Sequence, residues 1–232
     1  MLSHPITDRW PAQNPEIIQL YSFPTPNGIK ASAMLEEVGV EYEPHLISIM
    51  KNDQMTPEFL ALNPNNKIPA LIDPNGPDGK QLELFESAAI LIYLAEKTGK
   101  LLSNDPIERL HTLQWLMWQI GGVGPMFGQF GFFHKFGGKD MEDKLPFERY
   151  RDESIRLLKV LETALTGKTY LVGEAYSIAD LSLWPWVSAM TGFYEATDVL
   201  DMNSRPATMD WLTRCTERPA SIAARKIPDP AG

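Results

Sequence analysis

Apolar and polar positions alternate along the first hundred residues in a pattern that predicts an α/β domain. Short apolar runs predict strands, at residues 17–23, 42–49, 69–73 and 82–85. Apolar residues at helical spacing predict helices, at residues 27–38, 56–64 and 86–99. In this β-α-β-α-β-β-α order the first two strands run parallel through a right-handed crossover, and the last two form an antiparallel hairpin. Pro44 places the second strand at an edge of the resulting four-stranded sheet, which helices cover on both faces.

Beyond Lys100 the strand signals vanish and only helical spacing remains. Helices are predicted at residues 105–119, 146–165, 177–190 and 205–220. The fold class is therefore an α/β domain followed by an all-α domain. Three parts are expected, namely a polar, proline-containing arm at 1–15, the α/β domain at 16–100 and the all-helical domain at 106–232.

Composition and charge narrow the class of protein. The formal net charge of −9 argues against a general nucleic-acid surface. Cys215 is the single cysteine, so no intrachain disulfide can form, and this usage favours a reducing compartment. Residues 1–15 lack the pattern of a secretory signal, and no apolar run approaches the roughly 20 residues of a membrane span. We therefore expect a cytoplasmic protein with neither nucleic acid nor membrane as a partner.

The peptide between Ile68 and Pro69 stands just before the third strand and has two interpretations. A trans proline would simply open the strand, and this is the commoner case. A cis proline would form a tight bend and leave the N–H and C=O of Ile68 outside the sheet. Those two groups could then grip the backbone of a peptide-like ligand.

Glu86 and Ser87 lie where the fourth strand gives way to a helix. One of them could serve only as a cap for the amides of the first turn. Alternatively, free amides at this helix start could bind a carboxylate, with a hydrogen bond from Ser87, while Glu86 pairs with a neighbouring ammonium. An α-amino-acid head group carries both functions side by side.

Three other features of the sequence do not predict a functional site. The stretch from Ser177 to Asp180 matches a capping box, which is a structural feature of the helical domain. The histidines show no metal-ligand spacing, so no metal site is predicted; they are His4, His45, His111 and His134. The stretch GGVGPMFG follows a helix, not a strand, and is not a dinucleotide fingerprint.

Three motifs in this order and spacing resemble the cytosolic glutathione transferases. They are NKIPALID, LFESAAILIYLAEKTG and YSIADLSLWPW. The resemblance covers residues 17–225 and implies a thioredoxin-like first domain and the family's helical second domain. The turn PTPNG, with PNNKIPA and QWLMWQIGGVGPMFGQ, is similar to the bacterial nu class, which is associated with disulfide-bond reduction, and to its relative, the fungal nitrogen regulator with prion behaviour. Other classes of the family carry a tyrosine, serine or cysteine at or near this turn. This chain departs from them, because Tyr21 and Ser22 lie on the strand before the turn and no cysteine is present there.

The resemblance implies glutathione as the ligand, either reduced or as the disulfide. Its γ-glutamyl end would use Glu86 and Ser87, and its cysteinyl backbone would pair with Ile68 across the bend at Pro69. Its glycine end would lie near Lys67 and Gln54.

The same resemblance directs the glutathione sulfur at Thr25 and Asn27, on the turn that opens the first helix. Hydrogen bonds from these two side chains, together with the positive end of the helix, would favour the thiolate. Arg149 would add positive potential. Neither Thr25 nor Asn27 has to lose a proton, because the ligand supplies the nucleophile.

The implied enzyme is a glutathione transferase and disulfide-bond reductase that acts on small disulfides or electrophiles, as a homodimer. Two alternatives stay open, namely glutathione-dependent cleavage of aromatic ethers or thioethers and a non-catalytic regulator that binds glutathione. The Gly- and Phe-rich segment 121–138 either borders the electrophile pocket or forms a packed helix break with some mobility.

Overall fold

The computed structural model describes residues 2–229 and divides into two compact units. Of the described residues, the first unit contains 2–100 together with 219–229, and the second is Leu101–Arg218. Within the predicted helical domain, 106–232, residues 219–229 are thus grouped with the first unit, and residues 230–232 lie outside the described residues.

The first unit is a four-stranded mixed sheet with three main helices, in the predicted order. Its strands are β1 (Ile18–Ser22), β2 (Tyr42–Leu46), β3 (Ala70–Asp73) and β4 (Leu82–Phe85), and its helices are α1 (Pro26–Val38), α2 (Pro57–Leu62) and α3 (Ser87–Thr98). The strand order is β2-β1-β3-β4. β1 and β2 are parallel, whereas β3 is antiparallel to both β1 and β4. The thioredoxin-like architecture is confirmed, and Pro44 lies in the edge strand as predicted.

One layer of the core joins the sheet to α2 and to the amino-terminal arm. Tyr21, Ala70 and Ile72 pack with Phe59 of α2 and with Ile6, which is fully buried in a short 3-10 turn of the arm. The arm is also held by Glu43, whose carboxylate accepts hydrogen bonds from the backbone N–H of Gln13 and Asn14 at 2.9–3.0 Å. The arm therefore docks on the first unit.

The opposite layer is built on α1, which packs against α3 and against the short helix α9 (Pro219–Ala224). The hydroxyl of Ser32 donates a hydrogen bond to the carbonyl of Ala224 at 3.1 Å. This contact spans almost the whole chain, which explains why the segment from Pro219 joins the first unit.

The second unit is helical, as predicted. Its helices are α4 (Pro106–Trp118), α5 (Gly124–Lys135), α6 (Leu145–Leu165), α7 (Ile178–Thr191) and α8 (Pro206–Thr216). The capping box at Ser177 and Asp180 is present at the start of α7. Among residues 2–229, no helix is long and apolar enough to cross a membrane.

The Gly- and Phe-rich segment stays helical up to Lys135. The predicted break is one turn of π-helix at Gln119–Val123, after which α5 continues. A Cβ on Gly131 would lie 2.3 Å from the ring of Tyr194, so this glycine allows α5 to approach the chain that follows α7.

Candidate functional site

The sheet register brings three predicted features to one edge of the first unit. Tyr21 is the penultimate residue of β1 and pairs with Ala70, the first residue of β3. Ala70 also pairs with Phe85, the last residue of β4. The turn into α1, the bend before β3 and the start of α3 therefore lie side by side. This edge is where the sequence places its candidate ligand groups.

A cleft of about 250 Å³ opens at this edge. Its lining residues are Asn27, Asn63, Asn65, Lys67, Ile68, Pro69, Glu86 and Ser87. Six of these eight were predicted from the sequence, and the structure brings those six together. Asn63 and Asn65 were not assigned a role.

The peptide between Ile68 and Pro69 is cis, so the cis form of this bend is confirmed. Ile68 is half-buried and lies outside the paired strands, whose register begins at Ala70. The loop before the bend is fixed by Asn63, whose side-chain amide donates to the carbonyl of Lys67 at 2.6 Å. Asn63 also accepts from the N–H of Asn65 at 2.9 Å. The run PNNKIPA, with its clustered asparagines, is the signal from which this support could have been inferred.

The start of α3 lacks the side-chain cap that one interpretation predicted. Glu86 occupies the N-cap position, but its side chain makes no capping hydrogen bond. Its backbone φ of 69° is positive, which costs a non-glycine residue on the order of 1–3 kcal/mol. Such strained positions concentrate at ligand sites. The carboxylate of Glu86 is thus exposed at the cleft beside Ser87, which is buried and lines the same cleft.

Lys30 lies beneath this helix start and was missed in the sequence. Its side chain is fully buried, and its Nζ is 3.5 Å from the hydroxyl oxygen of Ser87. Burial lowers the pKa of Lys30 to about 7, and the charge of Glu86 opposes that shift. The signal was the stretch KASAMLEEV, in which small and apolar residues surround the lysine on most sides of the helix.

The turn into α1 is held by a side-chain cap and by close packing. The hydroxyl oxygen of Thr25 accepts a hydrogen bond from the N–H of Gly28 at 3.3 Å, and Pro26 is the first helical residue. A Cβ on Gly28 would lie 1.9 Å from the carbonyl oxygen of Phe23, so this position requires glycine for close approach. Asn27 is the second residue of the helix and lines the cleft.

Three predicted residues do not line this cleft, namely Thr25, Gln54 and Arg149. Gln54 is half-buried in the 3-10 turn Asp53–Met55, and its Oε1 has no hydrogen-bond partner within residues 2–229. Arg149 is an exposed residue of α6 in the second unit. The roles given to Thr25, Gln54 and Arg149 stay predictions, as do the ligand contacts of the six residues that line the cleft.

Within the part of the chain that the structure describes, no cluster of three or more His, Cys, Asp or Glu side chains could hold a metal ion. The polar groups of the cleft are amides, one hydroxyl, one carboxylate and one ammonium. This set suits a zwitterionic, peptide-like ligand.

Two family models match the chain. The model for the glutathione S-transferase N-terminal domain matches residues 16–96, and the model for the C-terminal domain matches residues 127–219. The disulfide-bond oxidoreductase YfcG of Escherichia coli is 46% identical over 206 residues, which cover 88% of this chain and 93% of YfcG.

Solved structures of similar proteins contain glutathione. A glutathione transferase from Burkholderia graminis, with two glutathione molecules bound per subunit, is 57% identical with a TM-score of 0.96 and covers 97% of this chain and 94% of its own. A glutathione transferase from Pseudomonas putida, with one glutathione disulfide bound per subunit, is 55% identical with a TM-score of 0.95 and covers 97% of each chain.

Proposed function

This chain belongs to the glutathione S-transferase family, and we propose that it is a glutathione-dependent disulfide-bond reductase. The observation that carries the proposal is the content of one cleft. The cleft is lined by the start of α3, which no side chain caps and which carries the Glu86 carboxylate and the Ser87 hydroxyl. It is also lined by the Ile68 peptide, which lies outside the sheet, and by the exposed Lys67. Similar proteins hold glutathione or its disulfide, and YfcG is named for disulfide-bond chemistry.

The γ-glutamyl head group binds at the start of α3. Its α-carboxylate accepts hydrogen bonds from the Ser87 hydroxyl and from first-turn amides that no side chain caps. Its ammonium pairs with Glu86. The two groups of an α-amino acid thus find complementary partners in neighbouring residues.

The remainder of the tripeptide continues along the cleft. The cysteinyl N–H and C=O pair with the backbone of Ile68, which no neighbouring strand uses. The glycine carboxylate is neutralised by Lys67, and Gln54 is proposed to support the same end. Asn63 holds the carbonyl of Lys67 and so fixes the geometry of this end.

The glutathione sulfur faces Thr25 and Asn27. A free thiol has a pKa near 8.5 and is only a few per cent thiolate at neutral pH. Donors and the positive end of a helix stabilise the thiolate, by about 1.4 kcal/mol for each unit by which they lower its pKa. The hydroxyl oxygen of Thr25 accepts a hydrogen bond from the N–H of Gly28, and its hydroxyl proton donates a hydrogen bond to the sulfur. Arg149 is proposed to add positive potential.

The reaction consumes two glutathiones for each disulfide reduced. The bound thiolate attacks one sulfur of the substrate disulfide, so a mixed disulfide forms and the other sulfur leaves as a thiolate that takes up a proton. A second glutathione thiolate attacks the glutathione sulfur of the mixed disulfide. The second substrate thiol is released, and glutathione disulfide is the oxidised product.

We also propose that the protein forms a homodimer. Ile107, Leu110 and Met117 lie on one face of α4 and expose 66%, 65% and 51% of their surface. An apolar stripe of this kind on a helix supports a protein–protein interface. The cytoplasmic location stays a prediction that rests on the single cysteine, Cys215, which is buried.

An assay with hydroxyethyl disulfide and glutathione tests the proposal. We expect turnover that saturates with glutathione and yields glutathione disulfide. Tight binding of glutathione without turnover of any disulfide would favour the non-catalytic regulator instead. Turnover of an aromatic thioether but not of disulfides would favour the cleavage activity.

A further inference from the structure

We infer that Lys30 is a positioning residue of the head-group site, where its ammonium orients the Ser87 hydroxyl and provides the positive charge that selects a ligand carboxylate. This inference deepens the proposed function and rests on it. The ligand class is a γ-glutamyl compound with a free α-carboxylate. Neither the family models nor the similar proteins assign a role to this residue.

The geometry places Lys30 behind Ser87. Nζ and the Ser87 oxygen are 3.5 Å apart, which is long for a hydrogen bond, so the contact acts through charge as well as through donation. An ammonium can only donate. The Ser87 oxygen therefore accepts on the Lys30 side, and its hydroxyl proton is free to point into the cleft that Ser87 lines.

Lys30 is buried, and its neighbouring charge, Glu86, lines the same cleft as Ser87. A lysine ammonium is almost never fully buried unless it is paired. Within the first unit, α1 packs against α3 and α9. α3 begins beside the Glu86 carboxylate, whereas α9 (Pro219–Ala224) contains no ionisable side chain. Tyr21 is the ionisable side chain of β1, and it lies in the α2 layer of the core. Glu86 is the charge that raises the pKa of Lys30 against the effect of burial.

A ligand carboxylate at Ser87 would add an anionic group close to the Lys30 ammonium. The Lys30 charge and the amides of the α3 first turn would act on the same anionic group from two directions. Glu86 would meanwhile face the ligand ammonium. Lys30 thus distinguishes a head group with a carboxylate from one without it, while touching neither the sulfur nor the scissile disulfide.

Calorimetric titration of two ligands tests this inference. S-methylglutathione keeps every binding group but has no ionisable thiol, and S-methylated 4-aminobutanoyl-cysteinyl-glycine lacks only the α-carboxylate. The titrations are made at pH 6, below the pKa of about 7 of Lys30, so that its side chain is an ammonium. We expect Lys30→Met to weaken the binding of S-methylglutathione about tenfold and to change the affinity for the second ligand less than about twofold. In a Ser87→Ala background the effect of Lys30→Met should shrink.

The matched control is Lys67→Met, the other lysine of the site. This variant should weaken the binding of both ligands equally, because both ligands retain the glycine carboxylate. If Lys30→Met fails to fold, Lys30→Gln is used for the same titrations. Equal weakening of both ligands by the Lys30 variants, or no weakening, overturns the inference. Failure of the unmodified protein to bind S-methylglutathione would overturn the proposed function instead.

Discussion

The hydroxyl oxygen of Thr25 accepts a hydrogen bond from the backbone N–H of Gly28 at 3.3 Å. The same side chain is therefore a helix cap and, in the proposed mechanism, a donor to the glutathione sulfur. Substitutions can separate the two roles because different residue types can fill each of them.

Thr25→Asp should keep the protein folded and lower disulfide-reductase turnover. Aspartate is a good N-cap, so the free energy of unfolding should change by less than about 1 kcal/mol. A carboxylate cannot donate to the sulfur and repels a thiolate, so turnover should fall by at least about tenfold. Steady-state kinetics and urea unfolding of the same preparation measure both effects.

Thr25→Ser is the matched control, because serine keeps both the cap and the hydroxyl donor. It should retain most of the turnover. Equal activity of the aspartate and serine variants would mean that Thr25 is only a cap.

Gly28→Ala should destabilise the protein. The added Cβ would lie 1.9 Å from the backbone carbonyl oxygen of Phe23, so the turn has to move, and overpacking of this kind typically costs about 1–3 kcal/mol. Gly121→Ala is the control, because nothing lies within 4 Å of its added Cβ and alanine favours helix over glycine by up to about 1 kcal/mol. Denaturant unfolding should give opposite signs for the two variants, and a Gly28→Ala variant as stable as the parent would contradict the close-approach argument.

The stability contributed by Lys30 should depend on pH in a defined direction. Burial lowers the pKa of Lys30 from 10.5 to about 7 in the folded protein, with Glu86 opposing. Between these two values the unfolded chain binds more protons than the folded one, so the free energy of unfolding rises with pH. We expect the parent protein to gain stability relative to Lys30→Met between about pH 7 and pH 9, by up to about 1.4 kcal/mol per unit.

Urea unfolding of the two proteins at several pH values measures this difference. Taking the difference removes the titration of all other groups that the two proteins share. A difference that is flat or falls as the pH rises would show that the pKa of Lys30 is not lowered.

Leu110→Glu should convert the proposed homodimer into a monomer. Leu110 exposes 65% of its surface in the middle of the apolar face of α4, and a buried carboxylate there would be left without a partner. Leu145→Glu is the matched control, since Leu145 is similarly exposed, at 68%, but lies at the start of α6. Light scattering after size exclusion gives the mass, and a dimeric Leu110→Glu protein would exclude this face as the interface.

Local signals in the sequence predict most of the fold. Gly39 ends α1 with a φ of 71°, as the glycine after the apolar pattern indicates. The capping box of Ser177 and Asp180 and the edge position of Pro44 are also local, and the structure confirms both. The cis bend at Pro69 is different, because the residues alone favour the commoner trans form and only the family resemblance favours the cis form that the structure shows.

Contacts between distant parts of the chain could not be predicted. The docking of Ser32 with Ala224 joins residues 192 positions apart, and no periodicity reveals it. The burial of Ile6 in the arm is likewise a tertiary contact within a polar stretch. Lys30 was missed because a lysine in a helical pattern is usually solvated, whereas here the side chain is buried and reaches Ser87 at the start of α3.

The pKa of the thiol in bound glutathione is the measurement that tests the central claim most directly. It can be followed through the ultraviolet absorbance of the thiolate as the complex is titrated. We predict a pKa at least about one unit below the free value near 8.5, and a return towards that value in the Thr25→Ala/Asn27→Ala double variant. A thiol pKa that is unchanged on binding, or equally low in the double variant, would contradict the account.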